Sequence, residues 1–473
     1  MPTERLPPEV WHIIFRFAAG PLLPHGLRFL SPFDVFVGLE THWRLLGGRD
    51  LTRASLALVC RSWNFMATPY IYEQIVIKTS EQERLLIRTL EHAKRDYFIK
   101  AIFIGFGLYI GRPSAEANIT NSSIMRYMTR LKVYGIRCSH MDTHPVGCVG
   151  LKALAPPAAC HPTSMILHVQ RGILPTSLHE FLGSASKNLR VLELSLPRHS
   201  SSDRTNHDRQ LLFPNLHTLS IIEGGDATAL LDIASRWFTP SLQCICGLGY
   251  TASFPPKFFS SSPESPPVIP RVTSVAFNGP RVCNNFYDVF PDVEEIIFDV
   301  DVGRQPVMMM RPVPTCTRAG ILVHEVPEEE RHRLTTAISD QFTPLSNPVT
   351  FPKLHIVRVV FVPARDEWIR PDCRPSVTFF SDYKRRIFWA YWKKLWASRG
   401  VKLEATEPHT GIPVQEIPEV EKDSDELASS YEQIWAQRRV GHGEELPYDT
   451  GSEDYWSDSE NDMSGSEEDS DST

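Results

Sequence analysis

One six-residue pattern returns along most of this chain: apolar, two variable, apolar, variable, apolar. It stands at YEQIVI (72–77), IKAIFI (99–104), LKVYGI (131–136), LRVLEL (189–194), LHTLSI (216–221), VTSVAF (272–277), VEEIIF (293–298) and LHIVRV (354–359). Weaker copies are SMILHV (164–169), LQCICG (242–247) and RAGILV (318–323), and a Phe-Pro lead-in stands at 213–214, 290–291 and 351–352. Successive starts lie 21 to 36 residues apart. A unit recurring at this period cannot bury its apolar face alone, so the units must stack.

Alternation over four to six residues predicts short strands. Helical stretches lie between them, at SEQERLLIRTLEHAKRD (80–96), DATALLDIASRWF (226–238) and PEEERHRLTTAISDQF (327–342). The expected fold is therefore an α/β solenoid, an irregular leucine-rich-repeat-like array over 72–400. It departs from the leucine-rich consensus in lacking an Asn or Cys at the usual offset. Its repeats are uneven, with long loops expected at 138–162 and 251–270.

Two helical stretches precede the array in residues 1–71. Pro7, Pro8 and Glu9 suit a helix start. Val10, Ile13, Ile14 and Phe17 follow at helical spacing, and Trp11 and Phe15 widen that stripe to nearly the whole circumference. Residues 20–52 form a Pro- and Gly-containing insertion. The second helix is expected from about Arg53 to Met66, with Leu56, Val59, Cys60 and Trp63 on one face and Pro69 ending it. This pair holds more large apolar side chains than two helices can shield from water. An apolar excess of that kind marks a partner surface.

Residues 376–400 read as an amphipathic helix stopped by Gly400. Ile387, Phe388, Tyr391, Trp392 and Leu395 share one face, and Lys384, Arg385, Arg386, Lys393 and Lys394 take the rest. It either caps the last repeat or offers a basic-aromatic surface to nucleic acid or lipid. From 401 the composition turns to Pro, Glu, Ser and Asp, which predicts a largely disordered acidic tail to 473. One apolar island, Leu427, Tyr431, Ile434 and Trp435, either docks back or serves as a binding motif. Residues 444–473 hold twelve Asp and Glu and no Lys or Arg, so the net charge of −7 becomes +5 for residues 1–443. Ser457, Ser459, Ser464 and Ser466 each precede an acid by three residues, a pattern open to an acidophilic kinase or to plain solvation.

No stretch has the length of an uncharged membrane span, and the N-terminus lacks the basic-then-apolar order of a secretory signal. The nine cysteines are odd in number and irregularly spaced, unlike a disulfide framework. These features together predict a soluble intracellular protein of the cytoplasm or nucleus. Cys138, His140, His144 and Cys148 are zinc-ligand types, yet their spacing matches no common structural site. GFGLYIG (105–111) lacks the helix opening that a phosphate-binding glycine loop needs. No catalytic signature is present, so no enzyme, cofactor or metal is expected.

LPPEVWHIIFRFA followed by LALVCRSWNFMATPYIYEQIVI resembles an F-box: Leu-Pro, an apolar helix, then Val-Cys-x-x-Trp leading into repeats. The long insertion at 20–52 departs from the F-box pattern. Among such proteins the chain is similar to the F-box family abundant in mushroom-forming fungi, whose box precedes degenerate leucine-rich-like repeats. The resemblance implies a substrate-recognition subunit of a Skp–cullin–F-box ubiquitin ligase. On that likeness Leu6, Pro7 and Ile14 of the first motif face the Skp-type adaptor or the small core behind it. Leu56, Val59, Cys60 and Trp63 of the second do the same. The adaptor would bring a cullin, and exposed side chains on the concave face of the array would select an unidentified protein substrate. Two alternatives are a scaffold without ligase partners and a nucleic-acid-binding protein using the 384–396 helix.

Overall fold

The structure is a computed structural model. It describes residues 7–18, 55–77, 80–93, 99–106, 124, 127–128, 130–138, 160–169, 181–195, 211–221, 237–248, 271–277, 282–283, 290–300, 308–309, 311–324, 331–362 and 383–406. By internal contacts the chain divides into Met1–Pro418 and Glu419–Thr473, and every described residue belongs to the first unit. The tail serines and the apolar island at 427–435 lie outside the described residues. So do most of the helical stretch at 226–238 and all of the histidine and cysteine cluster at 138–148 except Cys138.

Five helices are described: α1 (Pro8–Ala18), α2 (Arg61–Glu73), α3 (Ser80–Ala93), α4 (Arg331–Leu345) and α5 (Tyr383–Ala397). The first seven strands are β1 (Gln74–Ile77), β2 (Ala101–Phe106), β3 (Val133–Cys138), β4 (Ser164–Val169), β5 (Val191–Ser195), β6 (Thr218–Ile221) and β7 (Cys244–Leu248). The others are β8 (Ser274–Phe277), β9 (Val282–Cys283), β10 (Glu295–Val300), β11 (Met308–Met309), β12 (Arg318–His324), β13 (Ile356–Val362) and β14 (Lys402–Thr406). Twelve strands form one sheet in the order β1-β2-β3-β4-β5-β6-β7-β8-β10-β12-β13-β14, and β9 pairs with β11 apart from it. Every pairing is parallel.

All eleven copies of the six-residue pattern become strands of this sheet, and chain order equals spatial order. That is the topology of a stacked α/β array. In most copies the strand starts at the third residue of the pattern. The first residue packs beneath it: Ile99, Leu131, Leu189, Leu216, Leu242, Val272 and Val293 are all buried. The fourth and sixth residues project to one face, because side chains alternate along a strand. Ile102 and Ile104, Leu192 and Leu194, and Ile296 and Phe298 are buried there. Each large side chain so covered contributes ~1.5–3 kcal/mol.

The backbone carbonyl of the residue just before the strand closes each step. Lys132 O accepts from Thr163 N at 2.9 Å and Ser164 N at 3.1 Å, and Arg190 O accepts from His217 N at 2.8 Å and Thr218 N at 3.0 Å. The same two-pronged contact recurs at Lys100, Thr163, His217, Gln243, Thr273, Glu294 and Thr317.

Three features differ from the sequence reading. The second helix does not run from 53 to 66: residues 55–58 make one turn, the chain breaks at Val59, and α2 begins at Arg61. Cys60 is extended (φ −162°, ψ 171°) and its Sγ accepts the Trp63 N–H at 3.4 Å, an N-cap. The helix also continues through Pro69. Proline there deprives the Phe65 carbonyl of its helical donor, and Phe65 lies on the solvent side where water can take it.

The array, moreover, does not end at α5. That helix stops at Gly400, in the left-handed region at φ 71°, with Gly400 N bonded to Ala397 O and Val401 N to Trp396 O, both at 3.0 Å. This is a Schellman closure. It turns the chain into β14, which pairs with β13 beyond the expected boundary at 400.

The third difference is the second face of the sheet. Built in most copies from the variable third and fifth positions of the pattern, it too has buried central residues: Ser164, Ile166, Val191, Glu193, Thr218, Ser220, Cys244, Cys246, Ser274, Ala276, Glu295 and Ile297. An apolar band runs across it from Ala101 and Phe103 to Leu322 and Val360. Parallel sheets covered on both faces carry just such small and apolar residues. Among the described residues, no helix is long and apolar enough to cross a membrane.

Candidate partner-binding surface

α1 meets α2 through an aromatic seam. Trp63 stands 5.1 Å from Trp11 and 5.1 Å from Phe15, edge-on to the latter at 87°, ring centroid to centroid. Trp11 and Phe15 are one turn apart on α1, and Phe15 is fully buried. Tyr70 closes the far end of the seam: its hydroxyl donates to His12 O at 3.1 Å and lies 3.2 Å from His12 Nδ1. Burial pushes that hydroxyl's pKa up, the nearby Arg16 charge opposes the rise, and Glu73 adds to it.

The seam selects the two aromatic positions of α1 and leaves its aliphatic stripe outside. Ile13 is about 200° round the helix from Trp11 and is 67% exposed; Ile14 is 38% exposed. On the other side Leu58 and Phe65 are each 83% exposed and Val59 is 61% exposed. Large side chains this bare are costly in water, and the three on the helical pair, with Leu58 and Val59 just before α2, make a candidate docking surface.

Of the residues expected to face a partner, Ile14 and Val59 are bare. Pro7 and Cys60 are exposed and Leu56 is half-buried. Trp63 is half-buried and belongs mainly to the internal seam. Leu6 lies outside the described residues. The most exposed side chains, Ile13, Leu58 and Phe65, were apolar residues visible in the sequence. Their orientation was not visible, because an almost wholly apolar helix has no periodicity to choose an inner face.

The helical pair is fixed to the array. Glu73 ends α2 and Gln74 begins β1 with no residue between. The buried Glu73 carboxylate accepts from Arg16 Nη1 at 2.6 Å and Lys100 Nζ at 2.7 Å, and its carbonyl accepts from Lys100 N at 2.9 Å.

At the other end, the aromatic face of α5 is turned inward. Phe388, Trp389, Trp392 and Trp396 are buried, and Phe342 of α4 lies 6.3, 5.0 and 6.2 Å from Phe388, Trp392 and Trp396. The rings a nucleic acid would stack on are thus committed to packing, leaving Lys393 and Lys394 exposed. Trp389 and Trp396 join this buried face, while Ile387, Tyr391 and Leu395 are half-buried.

Chemistry-bearing groups elsewhere are quiet. Cys244 and Cys246 Sγ lie 3.4 Å apart, buried on the second face. The hydrogen bond to Cys244, then burial and the charges of Glu193 and Glu295, hold the Cys246 thiol well above its usual pKa. Burial pushes Cys316 up to about 12, with Glu295 adding to the rise. Such thiols stay protonated and are poor nucleophiles. Among the described residues, no group of three or more His, Cys, Asp or Glu could hold a metal ion.

No protein-family model and no curated protein matches the chain. Among solved structures, the chain is similar to a crystal structure of a Bacteroides fragilis protein, a structural-genomics target. The two are 12% identical, the match covers 63% of this chain and 70% of that one, and the TM-score is 0.27.

Proposed function

We propose that this chain is a substrate-receptor subunit of a Skp–cullin–F-box type ubiquitin ligase. The α1–α2 pair docks on the Skp-type adaptor and the array holds the protein to be modified. The observation that carries this reading is the set of five bare apolar side chains, Ile13, Ile14 and Phe65 on the pair and Leu58 and Val59 just before α2, while the pair's own seam is filled by Trp11, Phe15 and Trp63. Docking would cover those side chains. The mechanism is proximity: a protein held on the array and a ligase held at the pair meet at raised effective concentration. The polypeptide performs no chemistry itself.

Co-expression of the full chain with a Skp-type adaptor tests the reading. An Ile13→Ser/Leu58→Ser/Phe65→Ser variant removes exposed groups and spares the seam, so it remains folded and loses the adaptor. If the wild type retains no adaptor, or the variant retains as much, the receptor reading fails. An adaptor that binds without cullin or ubiquitin transfer would instead favour a scaffold.

A further inference from the structure

The N-terminal ends of strands β3 to β6 carry a basic edge that the receptor reading does not use. Lys132, Thr163, Arg190, His217 and Gln243 form one hydrogen-bonded row, each N–H donating to the carbonyl of the residue before it at 2.7–2.9 Å. Neighbouring strands are about 4.8 Å apart, so Lys132 and Arg190 stand about 10 Å apart along the row. Two residues earlier in each repeat stand Arg130, His161, Asn188 and Asn215, with Lys187 next to Asn188. Asn188 Nδ2 meets His161 Nδ1 at 3.1 Å and Asn215 Nδ2 donates to Lys187 O at 2.8 Å.

Arg130, Lys132, Lys187 and Arg190 are exposed, and none of them pairs with a carboxylate among the described residues. Between 124 and 248 the one described carboxylate is Glu193, and it is buried on the second face. The same edge farther along is neutralised: Arg271 lies 3.8 Å from Asp292 and 3.7 Å from Glu294. Among the described residues these four cations therefore have no carboxylate partner, whereas Arg271 farther along the edge has two, and a cluster of that kind attracts anions.

We infer that this edge binds an acidic segment of a partner protein. Nucleic acid is the other polyanion, but a single strand calls on exposed aromatic rings for stacking. No aromatic residue described between 124 and 248 is exposed. The asparagines and histidines beside the cations suit carboxylates on an extended peptide. Identifying this partner as the protein to be ubiquitinated rests on the receptor reading.

The test uses the full chain with three labelled probes: polyglutamate, a glycine-serine peptide of equal length, and oligothymidine. The wild type is expected to bind polyglutamate, to release it as salt rises, and to ignore the glycine-serine peptide. Lys132→Glu/Lys187→Glu/Arg190→Glu should weaken binding about tenfold or more, with thermal midpoint and adaptor retention unchanged. If that variant unfolds, the milder Lys132→Gln/Arg190→Gln pair decides, and an intermediate loss supports the site. No polyglutamate binding by the wild type, equal binding by a folded variant, or tighter binding of oligothymidine overturns it. Because adaptor retention is read separately, loss of the adaptor with polyglutamate binding intact defeats the receptor reading alone.

Discussion

Arg16 and Glu73, 57 residues apart in sequence, meet at 2.6 Å, with the carboxylate buried and the guanidinium partly in water. Lys100 reaches the same carboxylate from the start of β2. One buried anion thus ties α1, the end of α2 and the first strands together.

Replacing Glu73 by Gln should cost about 1.5–3 kcal/mol, the usual range for hydrogen bonds to charged groups. Arg16 and Lys100 both retain access to solvent, which keeps the loss below that of a fully buried ion pair. Urea unfolding followed by tryptophan fluorescence measures it. A midpoint unchanged within error would show that the link is ornamental.

Trp63 and Phe65, two residues apart, should behave oppositely. Trp63→Ala opens the seam against Trp11 and Phe15 and should destabilise the pair by about 2–4 kcal/mol. Phe65→Ala should change stability by less than about 0.5 kcal/mol while weakening adaptor retention. Equal destabilisation by the two would contradict the orientation of α2.

Gly400→Ala should cost about 1 kcal/mol. A methyl group there would meet open space, so the whole cost is the left-handed backbone and none is a clash. Gly400→Asn, which tolerates that conformation better, should recover part of it. If Ala and Gly prove equivalent in thermal unfolding, the Schellman closure does not form.

Glu404 gives a pH signature. Burial alone would raise its pKa, but hydrogen bonds from Lys402 and Arg358 outweigh that and hold it below the ordinary 4.5. A depressed carboxylate stabilises the fold above its unfolded pKa and loses that contribution as pH falls through the folded value. The thermal midpoint of wild type should therefore exceed that of Glu404→Gln near neutrality, and the gap should close in acid. A gap independent of pH would argue against the ion pairs.

The thiols should divide by environment. Cys60 is exposed, whereas Cys160, Cys244, Cys246 and Cys316 are buried. Cys60→Ser should remove one fast-reacting equivalent toward a thiol reagent, and Cys316→Ser none. Fast labelling of Cys316 in the folded protein would contradict its burial.

The array was legible in the sequence because its signal is local: an apolar residue below each strand and two more along it. The twelfth strand escaped for the same reason. Its first pattern position is Gly400, which α5 requires for its own termination, so GVKLEA (400–405) presents no apolar lead residue. The seam of the helical pair was not legible, since Val10, Trp11, Ile13, Ile14 and Phe15 are all apolar and only ring size separates inner from outer. Nor was the covered second face. Ser164, Thr218 and Ser274 are polar residues, the latter two at variable positions of the pattern, yet each is buried with its hydroxyl lacking a partner among the described groups.

The direct passage of α2 into β1 makes the sheet a ruler. With no hinge at that junction, the position of anything held along the twelve strands is counted in strands from the helical pair. Each strand adds about 4.8 Å, or about 50 Å from β1 to β14 measured along the sheet. Inserting or deleting one strand-and-loop unit would move a bound partner by one such increment and leave every contact at the helical pair untouched. In a lineage of such chains, reach and docking could therefore vary independently.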